Sequence, residues 1–161
     1  MDTTPDPTPL AHHRPVVRTQ SDLLQLWRGL MGDLGFTRSS TWVLHLDEDD
    51  RPTRRLLEID DCAGEPVADD LDSLTTMLLR VAGTPPGRWV FLRSRPGSHG
   101  PDRTDRAWAR GLAQACRRAG VVTDVVHLAT DQRLVPLPAD DLVGDDVMGD
   151  DVMGDDLPTS A

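Results

Sequence analysis

RWVFLRSRPGSHGPDRTD, residues 88–105, decides how this chain folds. Arg88 to Arg93 enclose an unbroken apolar run of Trp89, Val90, Phe91 and Leu92, the pattern of a strand covered on both faces. A Pro/Gly/Ser loop, Ser94–Gly100, follows. A helix opens near Pro101–Thr104 and runs to Ala119, with Trp108, Leu112, Ala115, Cys116 and Ala119 inward and Gly120 as its stop. A buried strand, a loop and a long amphipathic helix in succession predict an α/β layer structure.

Upstream of this stretch, a helix is expected to start at Ser21 as N-cap, with Leu23, Leu24, Trp27, Leu30, Met31 and Leu34 at three- and four-residue steps and Gly35 as the stop. Thr41–Asp47 alternates Trp42, Leu44 and Leu46 against Val43, His45 and Asp47, a strand signal. The polar turn Asp47–Pro52 then leads into Thr53–Ile59, so the two runs read as a hairpin. After the loop Asp60–Asp69, a second helix follows Asp70, with Leu71, Leu74, Leu78 and Val81 on one side and Gly83 closing it. Downstream, Val121–Leu128 and Arg133–Leu137 read as strands around a polar turn at Asp131-Gln132. The expected order is therefore α-β-β-α-β-α-β-β, a single α/β domain over residues 21–138.

The ends are different. Residues 1–20 carry four of the thirteen prolines without hydrophobic periodicity, and they read as a disordered leader. Residues 139–161 read as a disordered acidic tail: Asp140-Asp-Leu-Val-Gly is followed by two copies of Asp-Asp-Val-Met-Gly and then Asp155-Asp156-Leu157-Pro158. A five-residue period matches neither helix nor strand, and adjacent carboxylates repel. Eight of the 27 acidic residues lie at or beyond Asp140, which leaves 19 acidic against 17 basic side chains before it. The net charge of -10 therefore belongs mostly to the tail. All 17 basic residues are arginine. No stretch approaches the ~18 consecutive apolar residues of a membrane span, and the Pro/Thr-rich start lacks the apolar core of a signal peptide. Two cysteines, Cys62 and Cys116, are too few and too far apart for a disulfide framework or a zinc ribbon. A cytoplasmic protein with reduced thiols is the expectation.

At Arg93-Ser94-Arg95-Pro96-Gly97-Ser98, with Pro101 and then Asp105 in the first turn of a long helix, the chain resembles the JAB/MPN metallopeptidase-like family, in its RadC-like branch. In that branch a strand ends in His-x-His-Pro-Ser-Gly, followed by Pro-Ser and an Asp at the helix start. The order of leading helix, hairpin, helix, strand, ligand loop, helix and closing strands also resembles it, over roughly Ser21 to Leu137. The resemblance implies a JAB/MPN-like (cytidine-deaminase-like) domain. In active relatives the two histidines and the aspartate hold zinc, and water takes the fourth position. It maps the histidines onto Arg93 and Arg95, and the aspartate onto Asp105.

That departure bears on function. A guanidinium is permanently protonated and offers zinc no lone pair. Two such charges some 4–6 Å from a dication repel it by roughly several kcal/mol at an effective dielectric near 20. The expectation is a catalytically inactive domain acting as a protein-interaction module, without metal or cofactor and without catalytic residues. Its candidate binding residues, in the former active-site loop, are Arg93, Arg95, His99 and Asp105. One alternative is a zinc-dependent JAB-type hydrolase that recruits His99 with Asp105 and a nonstandard third ligand. Another is a DNA-repair-associated RadC-like protein. For Arg93 and Arg95 themselves three arrangements stay open: an internal ion pair with Asp105, two solvent-facing side chains at a strand end, or an anion site before a helix N-terminus.

Other residues have plainer readings. His12-His13 lies in the leader as a solvated pair; His45 reads as exposed or partly covered, and His127 as hydrogen-bonded and half-buried. Cys116 packs on its helix, and Cys62, beside Asp60 and Asp61, is a poor nucleophile. The third helix carries Arg103, Arg106, Arg110, Arg117 and Arg118, but acidic neighbours and the net charge of -10 disfavour nucleic acid as a partner. The acidic tail is a candidate to fold back on that strip, to chelate calcium weakly, or to present Val147, Met148, Val152 and Met153 to a groove. The expected partner is a protein of unknown identity or a second copy of the chain through an open hairpin edge.

Overall fold

The computed structural model describes residues 15–137 except Asp61 and Ala82. The expected disorder of the leader to residue 14, the His12-His13 pair and the acidic tail lie outside the described residues. Among those described, three helices and five strands follow in the order α1 (Gln20–Met31), β1 (Ser40–Asp47), β2 (Pro52–Ile59), α2 (Ala68–Leu79), β3 (Gly87–Ser94), α3 (Arg103–Ala119), β4 (Val126–Ala129) and β5 (Leu134–Leu137). The α-β-β-α-β-α-β-β order is as the sequence predicts. The strands form one mixed sheet in the order β2-β1-β3-β4-β5, in which β3 and β4 run parallel and the other pairs antiparallel.

Both faces of the sheet are covered. On one, Val43, Phe91, Val126 and Leu128 pack against Leu71 and Leu78 of α2 and Ala109, Leu112, Ala115 and Cys116 of α3. On the other, Leu44, Leu46, Val90, Leu92 and Leu134 pack against Leu23, Leu26 and Trp27 of α1. Strand alternation sends successive side chains of β3 to opposite cores, which explains why its sequence is apolar throughout. Each fully buried Leu or Phe in these layers is worth roughly 1.5–3 kcal/mol.

Several boundaries differ from the sequence reading, each for a local reason. The N-cap of α1 is Thr19, not Ser21: its hydroxyl accepts the Asp22 N–H at 3.0 Å while the Asp22 carboxylate accepts the Thr19 N–H at 3.1 Å. The helix stops at Met31 because Gly32 turns the chain at φ +62°, so Leu34 packs from a loop. α2 begins before Asp70 and ends at Leu79, and Thr75 takes the buried position beside Leu71 and Leu78. Residues 121–125 are not part of β4; their β-type pairing with the sheet is limited to a single bridge between Trp89 and Thr123. Val17, placed in the leader by sequence, is buried, and its N–H donates to the Asp50 carbonyl at 2.7 Å. Arg88 holds this corner by donating to the Val17 carbonyl and to the carboxylates of Asp50 and Asp124.

Gly87 is a steric requirement where β3 enters the sheet. A Cβ there would lie 1.9 Å from the Leu46 carbonyl oxygen, which is backbone and cannot rotate away. Gly87→Ala should therefore lower stability by about 2 kcal/mol, measured by urea denaturation. An unchanged midpoint would mean the hairpin yields at no cost.

Candidate functional site

β3 leaves the sheet at the N-terminal end of α3, and the residues there carry the charge. Arg93 and Arg95 are two apart on an extended chain, so both side chains fall on the α3 side of the sheet. α3 starts with a capping box: the Asp102 carboxylate accepts the Asp105 N–H at 2.8 Å, and Asp105 Oδ2 accepts the Asp102 N–H at 2.9 Å. That box places Asp105 in the first turn, facing the sheet.

The three side chains meet. Arg93 Nε donates to Asp105 Oδ1 at 2.8 Å, and Arg95 Nε donates to the same oxygen at 2.9 Å. Arg95 Nη2 donates to Asp105 Oδ2 at 2.8 Å, making a two-pronged contact. Arg93, Arg95 and Asp105 are 2%, 5% and 0% exposed, so the solvent-facing reading of the arginines is overturned. A guanidinium in this position would otherwise be stripped of water without compensation, and the internal ion pair supplies that compensation.

The arginines also close the surrounding backbone. Arg93 Nη1 donates to the Cys62 carbonyl at 2.6 Å, and its guanidinium lies 5.6 Å from the centre of the Trp108 ring. Trp108 Nε1 in turn donates to the Gly64 carbonyl at 2.7 Å. Arg95 donates to the carbonyls of Pro96, His99 and Gly100, so all three of its nitrogens are engaged. Asp131 ties the far side of the loop: its carboxylate accepts the Gly97 and Phe36 N–H groups, both at 2.9 Å. Those two N–H groups hold the Asp131 carboxyl below its ordinary range.

His99 does not join the cluster through its ring. The imidazole is 67% exposed and lies 3.6 Å from Asp102, while only its carbonyl reaches Arg95. Burial alone would raise the Asp105 pKa, but hydrogen bonds from Arg95, the Asp102 N–H and Arg93 reverse that and lower it. Two cations face one carboxylate, and backbone carbonyls spread the remaining charge. An external anion would have to displace Asp105 or those carbonyls to reach either guanidinium. Among the described residues, no group of three or more His, Cys, Asp or Glu side chains is placed to hold a metal ion.

The remaining candidates sit elsewhere. His45 is buried, not exposed, because β1 is an interior strand; its ring packs against Trp89 at 4.8 Å between centres and lies 3.3 Å from Thr53 Oγ1. His127 is fully buried, in contrast to the half-buried residue expected, and its ring nitrogens find at most a weak contact with the Val125 backbone. Cys116 is packed in the core, where burial pushes its thiol up to about 11. Cys62 is buried too, and its thiol donates to the Ile59 carbonyl at 3.2 Å. The sequence reading missed Trp108 and the Cys62 carbonyl as partners of Arg93, and Asp131 as the clamp on the loop. The Asp102-x-x-Asp105 spacing was a legible capping signal for the carboxylate pair; no local pattern announces the others. Among the described residues no helix is long and apolar enough to cross a membrane. No protein-family model matches the chain, and no curated protein is significantly similar to it.

Proposed function

We propose that this chain is a metal-free JAB/MPN-like domain of the RadC-like kind that works as a protein-interaction module. The observation that carries this reading is the occupation of Asp105: both of its oxygens accept hydrogen bonds from buried arginines or from its own N-cap. A carboxylate so engaged has no capacity left for a cation, and the two positions that the resemblance pairs with zinc ligands hold cations themselves. The element order of the fold supports the same reading. The hydrolase alternative would require Asp105 to release both arginines and His99 to turn inward. Of the two surfaces left for a partner, the loop is closed by Arg95. The hairpin edge is the more open: β2 ends the sheet, and Leu57 on it is 38% exposed.

Metal analysis tests this directly. The purified protein is expected to bind no zinc tightly and to stay folded in chelator, whereas Arg93→His combined with Arg95→His should take up one zinc per chain with Asp105. Stoichiometric zinc in the unaltered protein would overturn the metal-free reading. A folded double variant that takes up none would overturn the JAB/MPN resemblance.

A further inference from the structure

A cleft of about 440 Å³ opens between the C-terminal end of α1 and the start of β5, lined by Arg28, Gly32, Leu34, Arg133, Leu134 and Val135. Its floor is apolar: Leu134 is buried, and Leu34 packs partly buried on the α1-side core. Its rim is cationic. Arg28 and Arg133 are exposed, and neither guanidinium has an ion-pair partner among the described residues. Most arginines of α3 contrast with them: Arg118 pairs with Asp72 at 2.7 Å, Arg103 lies 3.9 Å from Glu65, and Arg106 and Arg110 are engaged as well, which leaves Arg117 as the one arginine of that helix without an ion pair among the described residues. The better-matched surface for an acidic ligand is therefore the cleft and not the α3 strip.

The chain carries such a ligand close by. β5 runs from the cleft at Leu134 to Leu137, a path of roughly 10 Å at strand rise. Its outer edge is the end of the sheet. Three residues beyond Leu137 begin the units Asp140-Asp141-Leu142-Val143, Asp145-Asp146-Val147-Met148 and Asp150-Asp151-Val152-Met153, each a carboxylate pair followed by two apolar side chains. We infer that the cleft is the docking site for this acidic segment of the same chain: one Asp-Asp unit faces Arg28 and Arg133, and the apolar pair that follows packs on Leu34 and the apolar margin beside Leu134. Exposed ion pairs are individually weak. A short tether, however, holds the ligand at an effective concentration in the millimolar range, and three equivalent units raise the chance of occupancy. Docking would cover the free edge of β5 and make the contact a self-masking one. This inference does not depend on the JAB/MPN reading.

The test uses the full chain with a nitroxide attached through Gly149→Cys, since Cys62 and Cys116 are buried. The expected result is paramagnetic broadening of the Leu34, Leu134 and Val135 amides. Broadening should be lost when Arg28→Glu and Arg133→Glu are combined, substitutions at exposed positions that leave the cores intact. It should also weaken at about 1 M salt, where the Debye length falls to roughly 3 Å. Broadening centred on α3, broadening unchanged by the double substitution, or none at all would overturn the assignment. So would equal broadening in a mixture of isotope-labelled and spin-labelled chains, which would make it a contact between copies.

Discussion

Asp105→Ala should lower the unfolding free energy by about 3–5 kcal/mol, the typical cost of removing one partner from a buried ionic cluster. The carboxylate answers two guanidiniums that are almost wholly removed from water. Without it, both cations stay buried with carbonyl oxygens as their only strong acceptors, and α3 loses half of its capping box. The cap alone is worth about 1 kcal/mol, and Asp102→Ala should report that smaller figure in the same urea titration. If the two single variants lose equal stability, the arginine contacts contribute nothing and the cluster is only a helix cap. Replacing the whole triad with apolar residues of similar volume should recover most of the loss. The pH dependence has a definite sign. The Asp105 pKa lies below its ordinary 3.8 in the folded protein, so this stabilisation is present above that value and is lost as the pH falls through the folded pKa.

A second, separate loss of stability is expected at milder acidity, from His127. Its ring is 0% exposed, faces the α1-side core from β4, and has at most a weak contact with the Val125 backbone at its nitrogens. Burial pushes its pKa from the ordinary 6.5 down to about 4, against smaller opposing contributions from the Val125 backbone and Asp124. Unfolding releases the ring to water, so between those two values the unfolded chain binds a proton that the folded chain refuses. Stability is thus intact above the ordinary His value and falls as the pH drops toward about 4. The slope is about 1.4 kcal/mol per pH unit, so the full window is worth about 3 kcal/mol. Chemical denaturation at about pH 7.5 and about pH 5 should differ by about 2 kcal/mol from this group. His127→Leu should remove that difference while keeping the site apolar. A wild-type protein equally stable at both values would show that the ring finds a partner, or water, in solution. His45, whose pKa burial also lowers, adds to the loss in the same direction.

These two groups also mark what could be read in advance. The Arg88–Arg93 run was legible as an interior strand because it lacks a polar face. β1 was not legible as interior: the alternation of Trp42, Leu44 and Leu46 with His45 and Asp47 is the signature of a half-covered strand. Yet α2, α3 and Trp89 cover its second face, so His45 is buried. The same limit hid His127, whose neighbours on the sheet come from β3 and β5 and whose cover comes from α1. Helix ends were misread by a few residues at Thr19 and Gly32 because Ser21 and Gly35 carry the same local signals a few positions away.

By itself the sequence determined the α-β-β-α-β-α-β-β order, the two-residue spacing that puts Arg93 and Arg95 on one face, and the Asp102-x-x-Asp105 cap that sets Asp105 in the first turn. These are local properties, governed by side-chain periodicity and hydrogen bonds within a few residues. Whether the arginines turn outward to water or inward to a carboxylate depended on α3 crossing the end of β3 with its first turn against the sheet. Only that packing creates a dry site where two guanidiniums are stable, because there a single carboxylate and the carbonyls of Cys62, His99 and Gly100 replace the lost water.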